Sequence, residues 1–355
     1  MQITFILPAF LATPSGGFKV VYEYANRLQA RGHEIIVIHP RNEKSLRGAV
    51  EFVKGRLWKY KLQLKYNPLI PWFNLHPGIK LLLVPDLSER FIPDSECIFA
   101  TAYNTAFYVN SYSLGKGRKF YLIQSYETWQ GSEDKVRASW KLPLNKVVIS
   151  SWLLKISHEL GEADRTTYIP LGLDFSQFKI TVPIRDRKIP SVGMLAHPNK
   201  IKGTKDGLTA LKIAKERIPA LRATFFGTHE RDTDVPAWID YVRTPSPKQL
   251  LDLYNSCQVF LHPSWIEGWG LPPAEAMACG CVLVASANEG VYEFAVEGKN
   301  AMLAPIKRPE LLAEKLIEVI VNDDLRIGLA EAGHESIQRF TWDRAVDSLE
   351  YLLSR

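Results

Sequence analysis

The amino-acid sequence predicts an α/β protein built from two Rossmann-like halves. Three observations carry this. The 355 residues exceed what one hydrophobic core comfortably serves. Short apolar runs alternate with helical patterns, which implies parallel sheets covered on both faces. The alternation stops once, between Tyr168 and Pro190, and then restarts. That stretch is turn-rich through Ile169-Pro170-Leu171-Gly172-Leu173-Asp174 and polar from Pro183 to Lys188, as a linker would be. The expected organisation is an N-terminal domain over 1–170, a C-terminal domain over 171–335 and a closing helical segment over 336–355.

In the first half, a strand at 3–8 leads into Ser15-Gly16-Gly17, followed by a helix at 18–30. Val20, Val21, Tyr24, Ala25 and Leu28 share one face of that helix, and a second strand follows at 34–39. This is a β-α-β unit opening on a glycine turn. Apolar runs at 81–84, 97–100, 119–124 and 147–150 suit further buried parallel strands. In the second half, strands are expected at 191–195, 221–226, 258–261 and 281–285. Helices are expected at 204–216, 247–256, 272–278 and 309–321, with two or three more to the end.

A net charge of +6 favours anionic partners. The excess gathers in residues 41–66, where Lys54, Arg56, Lys59, Lys61 and Lys65 alternate with Leu57, Trp58, Tyr60, Leu62 and Leu64. Such a stretch can lie on anionic lipid, or form a solvated face whose apolar side packs on the domain. No nucleic-acid-binding motif accompanies the charge, so no nucleic-acid partner is expected. The sequence opens on a strand rather than a signal peptide, and lacks an apolar run of about 18 residues. The expectation is a cytoplasmic protein, with peripheral contact at the inner face of a membrane as an option. Cys97, Cys257, Cys279 and Cys281 fit a reducing compartment. The Cys279-Gly280-Cys281 pair reads as buried small hydrophobes, since no further ligand stands at metal spacing.

The chemistry concentrates in His262-Pro263-Ser264-Trp265-Ile266-Glu267-Gly268-Trp269-Gly270-Leu271-Pro272-Pro273-Ala274-Glu275. A strand ends, a glycine-containing loop follows, and prolines suited to a first helical turn open a helix. Backbone amides around Trp269, Gly270 and Leu271 then sit before a helix N-terminus, a natural diphosphate site. Glu267 and Glu275 would be repelled by phosphate, so they should face sugar and ribose hydroxyls. Taken alone, Glu275 reads equally as a first-turn glutamate capping its helix, and Glu267 as a solvated loop carboxylate.

The spacing of Glu267 and Glu275 resembles the E-x7-E signature of the family 4 glycosyltransferases, which adopt the GT-B fold of two Rossmann-like domains facing across a cleft. His262-Pro263-Ser264, Glu275-Ala276-Met277-Ala278-Cys279-Gly280, Glu293, the Ile169–Asp174 segment, Lys202-Gly203 and Phe340-Thr341-Trp342 resemble further parts of its pattern. The match is dense from about Tyr168 onward. The resemblance implies transfer of a sugar, with retained anomeric configuration and without a metal or other cofactor, from a nucleotide-sugar donor to a hydroxyl of a glycan, lipid-linked glycan or small-molecule acceptor. Glu275 would hold the ribose, Glu267 the donor sugar, and Lys202 the diphosphate and departing group. The Trp269, Gly270 and Leu271 amides would lie against sugar and diphosphate, and Gly193 and Gly227 would belong to the donor side. Gly16 and Gly17 would line the cleft opposite.

Two departures stand out. The family carries an Arg after the glycine of the first C-terminal strand, where this chain has Met194 after Gly193; either Lys200 substitutes, or phosphate binding leans on Lys202 and backbone amides. The family's N-terminal histidine is also missing from the best counterpart, Tyr121-Leu122-Ile123-Gln124-Ser125-Tyr126-Glu127, where Glu127 is the candidate base. That stretch resembles bacterial surface-polysaccharide rhamnosyltransferases. Met194 leaves open an inactive carbohydrate- or membrane-binding protein, and the fold itself leaves open a nucleotide-sugar epimerase.

Overall fold

The computed structural model describes residues 1–41, 70–129 and 131–355. The basic, aromatic stretch at 41–66 therefore lies, apart from Arg41, outside the described residues. The chain forms two compact units, Met1–Pro170 with Asp343–Arg355, and Leu171–Trp342.

The N-terminal unit is built from β1 (Gln2–Ile6), α1 (Gly16–Ala30), β2 (Glu34–Pro40), β3 (Lys80–Val84), β4 (Cys97–Ala100), α2 (Tyr103–Ser111), β5 (Arg118–Ile123), α3 (Glu133–Trp140), β6 (Asn145–Val148), α4 (Ser151–Glu159) and β7 (Thr166–Tyr168). Its seven strands are ordered β3-β2-β1-β4-β5-β6-β7 and pair in parallel. Ile3, Phe5 and Ile6 on β1 and all four residues of β4 are fully buried. β4 is an unbroken apolar run, and β1 is interrupted only by the buried Thr4, because both faces of the sheet are covered. Phe5, Phe99 and Phe120 stack across β1, β4 and β5, with centroids 5.0 and 4.8 Å apart. The expected Ser15-Gly16-Gly17 turn is the cap and first turn of α1, which starts at Gly16. Helices α2, α3 and α4 were not expected. Each has only eight or nine residues, too few turns for an apolar stripe to emerge.

The second unit adds β8 (Ser191–Leu195), α5 (Thr204–Arg217), β9 (Arg222–Gly227), β10 (Ile239–Arg243), α6 (Pro247–Ser256), β11 (Val259–His262), α7 (Leu271–Ala278), β12 (Val282–Ser286), β13 (Ala301–Ala304), α8 (Pro309–Val321) and α9 (Asp323–Ile337). Strand order is β10-β9-β8-β11-β12-β13, again parallel throughout. The order reverses between β8 and β11. In an open parallel sheet this is the point where loops leave in opposite directions and a ligand crevice opens at the strands' carboxyl ends.

In the charged part of the linker, Arg185, Asp186 and Lys188 are exposed but Arg187 is not. Arg187 is 5% exposed and donates to the carbonyls of Val182 (3.0 Å), Cys257 (2.9 Å) and Cys279 (2.5 Å). Burial of its guanidinium is tolerable because these carbonyls saturate its fork of donors. All four cysteines are free and buried, and burial pushes the Cys281 thiol up to about 11.

The last helix, α10 (Trp342–Leu353), continues beyond the second unit, so the return crossing falls between Trp342 and Asp343 rather than at 335, which lies inside α9. Val346, Leu349 and Leu353 of α10 are buried. Arg31 reaches Asp347 and Glu350, each at 2.5 Å, and His33 meets Glu350 at 2.8 Å. The two crossing strands of chain run against each other: Leu173 donates to the Phe340 carbonyl at 2.9 Å, and a Cβ on Gly172 would lie 2.2 Å from the Trp342 nitrogen. Backbone is the obstacle, so no rotamer change relieves it. Gly172→Ala is expected to cost about 2 kcal/mol or more; an unchanged denaturation midpoint would show that the crossing can part freely.

Candidate functional site

The site grows from two loops at the reversal point of the second sheet. After β8 the chain makes a tight turn at Lys200–Lys202 and enters α5 through Gly203, whose φ of +64° is left-handed. A Cβ there would lie 2.0 Å from the Pro263 carbonyl oxygen, so the residue after Lys202 must be glycine. The Trp265 amide donates to the Ile201 carbonyl at 2.7 Å, locking this turn to the loop that follows β11. That loop is anchored by Trp269, 1% exposed, with its ring 5.0 Å from Phe294 and 5.4 Å from Phe340. Gly270, at φ +105°, then turns the chain into α7.

These constraints bring Lys202 to Glu267. The ammonium donates to both carboxylate oxygens at 2.8 Å. On its other flank Glu267 faces the His262 ring nitrogen at 3.5 Å. Burial pushes the Glu267 carboxyl up, but Lys202, His262 and the Ser264 hydroxyl outweigh it and hold the group below its usual range. Burial takes His262 down to about 4, so the ring is neutral near pH 7. His197 also sits low, from burial first and then from Lys202 and His229. Its Nδ1 accepts the Asn199 amide at 3.0 Å, which leaves the proton on Nε2.

Glu275 is 4% exposed and lies beyond the first turn of α7, so it is not the capping residue of that helix. The Tyr254 hydroxyl donates to it at 3.1 Å. The Tyr254 ring is wedged among Phe178, Phe226 and Phe260 at 6.0, 5.9 and 5.6 Å. Pro272 and Pro273 carry no N–H, so Leu271 alone among the first three helical residues has an amide to offer.

Lys200 does not join Lys202 on Glu267. Its ammonium lies 5.9 Å from the Trp265 ring, with Lys307 over the same ring at 4.7 Å, while Asp206 fixes the indole N–H at 2.7 Å. Gly193 is interior: a Cβ there would meet Cys257 and Leu253 at 3.1 and 3.2 Å. Gly227 closes on the Ala196 carbonyl, which a Cβ would approach to 2.5 Å. Both glycines serve packing of the sheet. Met194 is fully buried in the core, its sulfur against Gly207 of α5. Its side chain fills the interior, so the position offers no cation to the site.

In the N-terminal unit, Gln124 donates to the Gly17 carbonyl at 3.0 Å, and Gly16 has open space where a side chain would project. Glu127 accepts the Tyr103 amide at the start of α2, at 2.7 Å. Burial nevertheless dominates and raises its carboxyl to about 7. Among the described residues, no group of three or more His, Cys, Asp or Glu is arranged to hold a metal ion, and no helix is long and apolar enough to cross a membrane.

Sequence reasoning did not find Tyr254, Asp206 or the His262 contact. Tyr254 is far from Glu275 in sequence and reads as one more apolar residue of α6. Only the fold reveals that its hydroxyl points at a carboxylate.

Residues 175–336 match the family model of glycosyl transferases group 1. The chain is similar to a glycosyltransferase of Methanocaldococcus jannaschii, 32% identical over 30% of this chain and 31% of that protein. It is also similar to a D-inositol 3-phosphate glycosyltransferase of Corynebacterium efficiens, 29% identical over 56% of this chain and 53% of that one. The chain thus spans about a third to a half of the length of these curated relatives. In fold it resembles Anabaena HepE in complex with UDP-glucose, with a TM-score of 0.77 and 16% identity over 100% of this chain and 99% of that one. Staphylococcus aureus TarM gives a TM-score of 0.77 at 10% identity, covering both chains completely.

The Glu127 environment has a consequence for stability. Its folded carboxyl holds a proton more tightly than the ordinary 4.5 of an unfolded chain. The stabilisation is therefore complete below about pH 4.5 and drains away as pH rises through about 7. Glu127→Gln should remove this loss, narrowing the difference in melting temperature between about pH 5 and about pH 8. Identical differences in the two proteins would mean that Glu127 is solvated.

Proposed function

We propose that this chain, of which residues 175–336 match the family model of glycosyl transferases group 1, moves a sugar from a nucleotide-sugar donor to a hydroxyl of a glycan, a lipid-linked glycan or a small-molecule acceptor. The observation that carries this reading is the joining of Lys202, Glu267 and the start of α7 at the sheet's reversal point, with buried Glu275 one turn further on. A cation and a helix N-terminus suit a diphosphate, and carboxylates suit the hydroxyls on either side of it.

In this reading Glu275, oriented by Tyr254, takes the ribose diol, and Glu267 takes hydroxyls of the donor sugar. Lys202 and the Leu271 amide stabilise the charge that grows on the leaving diphosphate, the electrostatic task a divalent ion performs elsewhere. The anomeric bond to phosphate oxygen breaks while a bond to the acceptor oxygen forms on the same face, so configuration is retained. Glu127 of the N-terminal unit is assigned to the acceptor, as base for its hydroxyl proton. Its carboxyl near 7 can be emptied and refilled within the physiological range. We place the protein in the cytoplasm.

UDP is the first nucleotide to test, because HepE of the same fold holds UDP-glucose. Thermal stabilisation is measured with UDP, GDP, ADP, dTDP and CMP, with and without EDTA. One nucleoside diphosphate at about 100 times its dissociation constant should add about 2.7 kcal/mol. The shift should survive EDTA and vanish in Glu275→Ala. If none of the nucleotides shifts the melting temperature, the donor-site reading fails. Transfer should rise with pH through about 7 and lose that rise in Glu127→Gln; a retained rise assigns the base elsewhere.

A further inference from the structure

Lys202 and Glu267 are assigned above to different parts of the donor, yet in the structure they hold each other. Both carboxylate oxygens lie 2.8 Å from the ammonium. The pair is largely withdrawn from water, the Glu267 side chain 12% exposed and that of Lys202 26%. The ring beside Glu267 is a neutral histidine, which cannot replace Lys202 as a counter-ion. His197, also depressed by burial, does not supply one either.

We propose that this ion pair is an exchange clamp that separates donor from product: a diphosphate gains Lys202 only by displacing Glu267, and Glu267 reclaims Lys202 once the sugar has left. The inference rests on the reading that Lys202 faces the donor diphosphate. A diphosphate alone strips Glu267 of its cation and leaves a desolvated carboxylate uncompensated, which is costly. An intact nucleotide sugar brings hydroxyls that donate to the displaced carboxylate, so the exchange is nearly balanced. After transfer those hydroxyls depart with the acceptor. The carboxylate then competes with the product phosphate for the same ammonium and drives it out. Glu267 thereby acts twice, as the sugar's hydrogen-bond acceptor and as the agent of product release.

The test uses inorganic pyrophosphate, which carries the diphosphate without base or sugar, titrated calorimetrically into the protein. Glu267→Gln should bind pyrophosphate at least about fivefold more tightly than wild type, because Lys202 is left without its anion. Glu267→Asp, which retains charge but is too short to chelate the ammonium, should move in the same direction by less. It carries the test if the glutamine variant does not fold. Lys202→Met should lose pyrophosphate binding. A Lys202→Met protein that binds like wild type overturns the donor-site reading itself. Loss in Lys202→Met, with unchanged or weaker binding in the folded Glu267 variant, leaves the donor site standing and overturns the clamp.

Discussion

The candidate site depends on one close approach of backbone to backbone. The turn carrying Lys202 and the loop carrying Glu267 leave the sheet from neighbouring strands, β8 and β11. They can touch because Gly203 lies almost against the Pro263 carbonyl, where any Cβ would collide. That contact, reinforced by the amide bond from Trp265 to Ile201, sets the reach of the lysine. Fixed ends make the ion pair a property of the fold rather than of two mobile side chains, which is how a polar constellation keeps its geometry without a ligand. The same loop is pinned from below by the Trp269 indole, so an error in packing there would be felt at Glu267.

Much of this was legible in the sequence where local and tertiary preferences agree. Helix α6 begins at Pro247 as expected, with Ser246 accepting from the Gln249 amide in a capping box, and α8 runs from Pro309 to Val321 as read from its apolar spacing. The E-x7-E spacing located the loop-helix segment because glycine and proline mark a strand-to-helix turn unambiguously. The strands β10 and β13 escaped because Asp240 and Arg243 interrupt the apolar run of the first, and Ala301-Met302-Leu303-Ala304 has no β-branched or aromatic residue. Arg187 misled for a different reason: a charged residue reads as solvent-facing, and nothing local announces that five oxygen acceptors surround it.

Met194 stands where the resemblance leads one to expect a cation, and in the fold its flexible thioether fills the space left by Gly207 and is wholly interior. A side chain's chemistry matters only in the direction the backbone aims it. The reverse holds for Tyr254, whose ring belongs to the core while its hydroxyl belongs to the site, so that packing and orientation of a carboxylate are one event.

The side-by-side path of Gly172 and Trp342 gives the second unit adjacent ends. In topological terms it is an insertion: the first unit begins the chain, is interrupted for the length of a whole domain, and is completed by its own final helix. A module whose entry and exit meet at one point can be replaced without re-threading its host. The architecture therefore lets the second unit be exchanged over evolutionary time while the first keeps its own sheet and its closing helix.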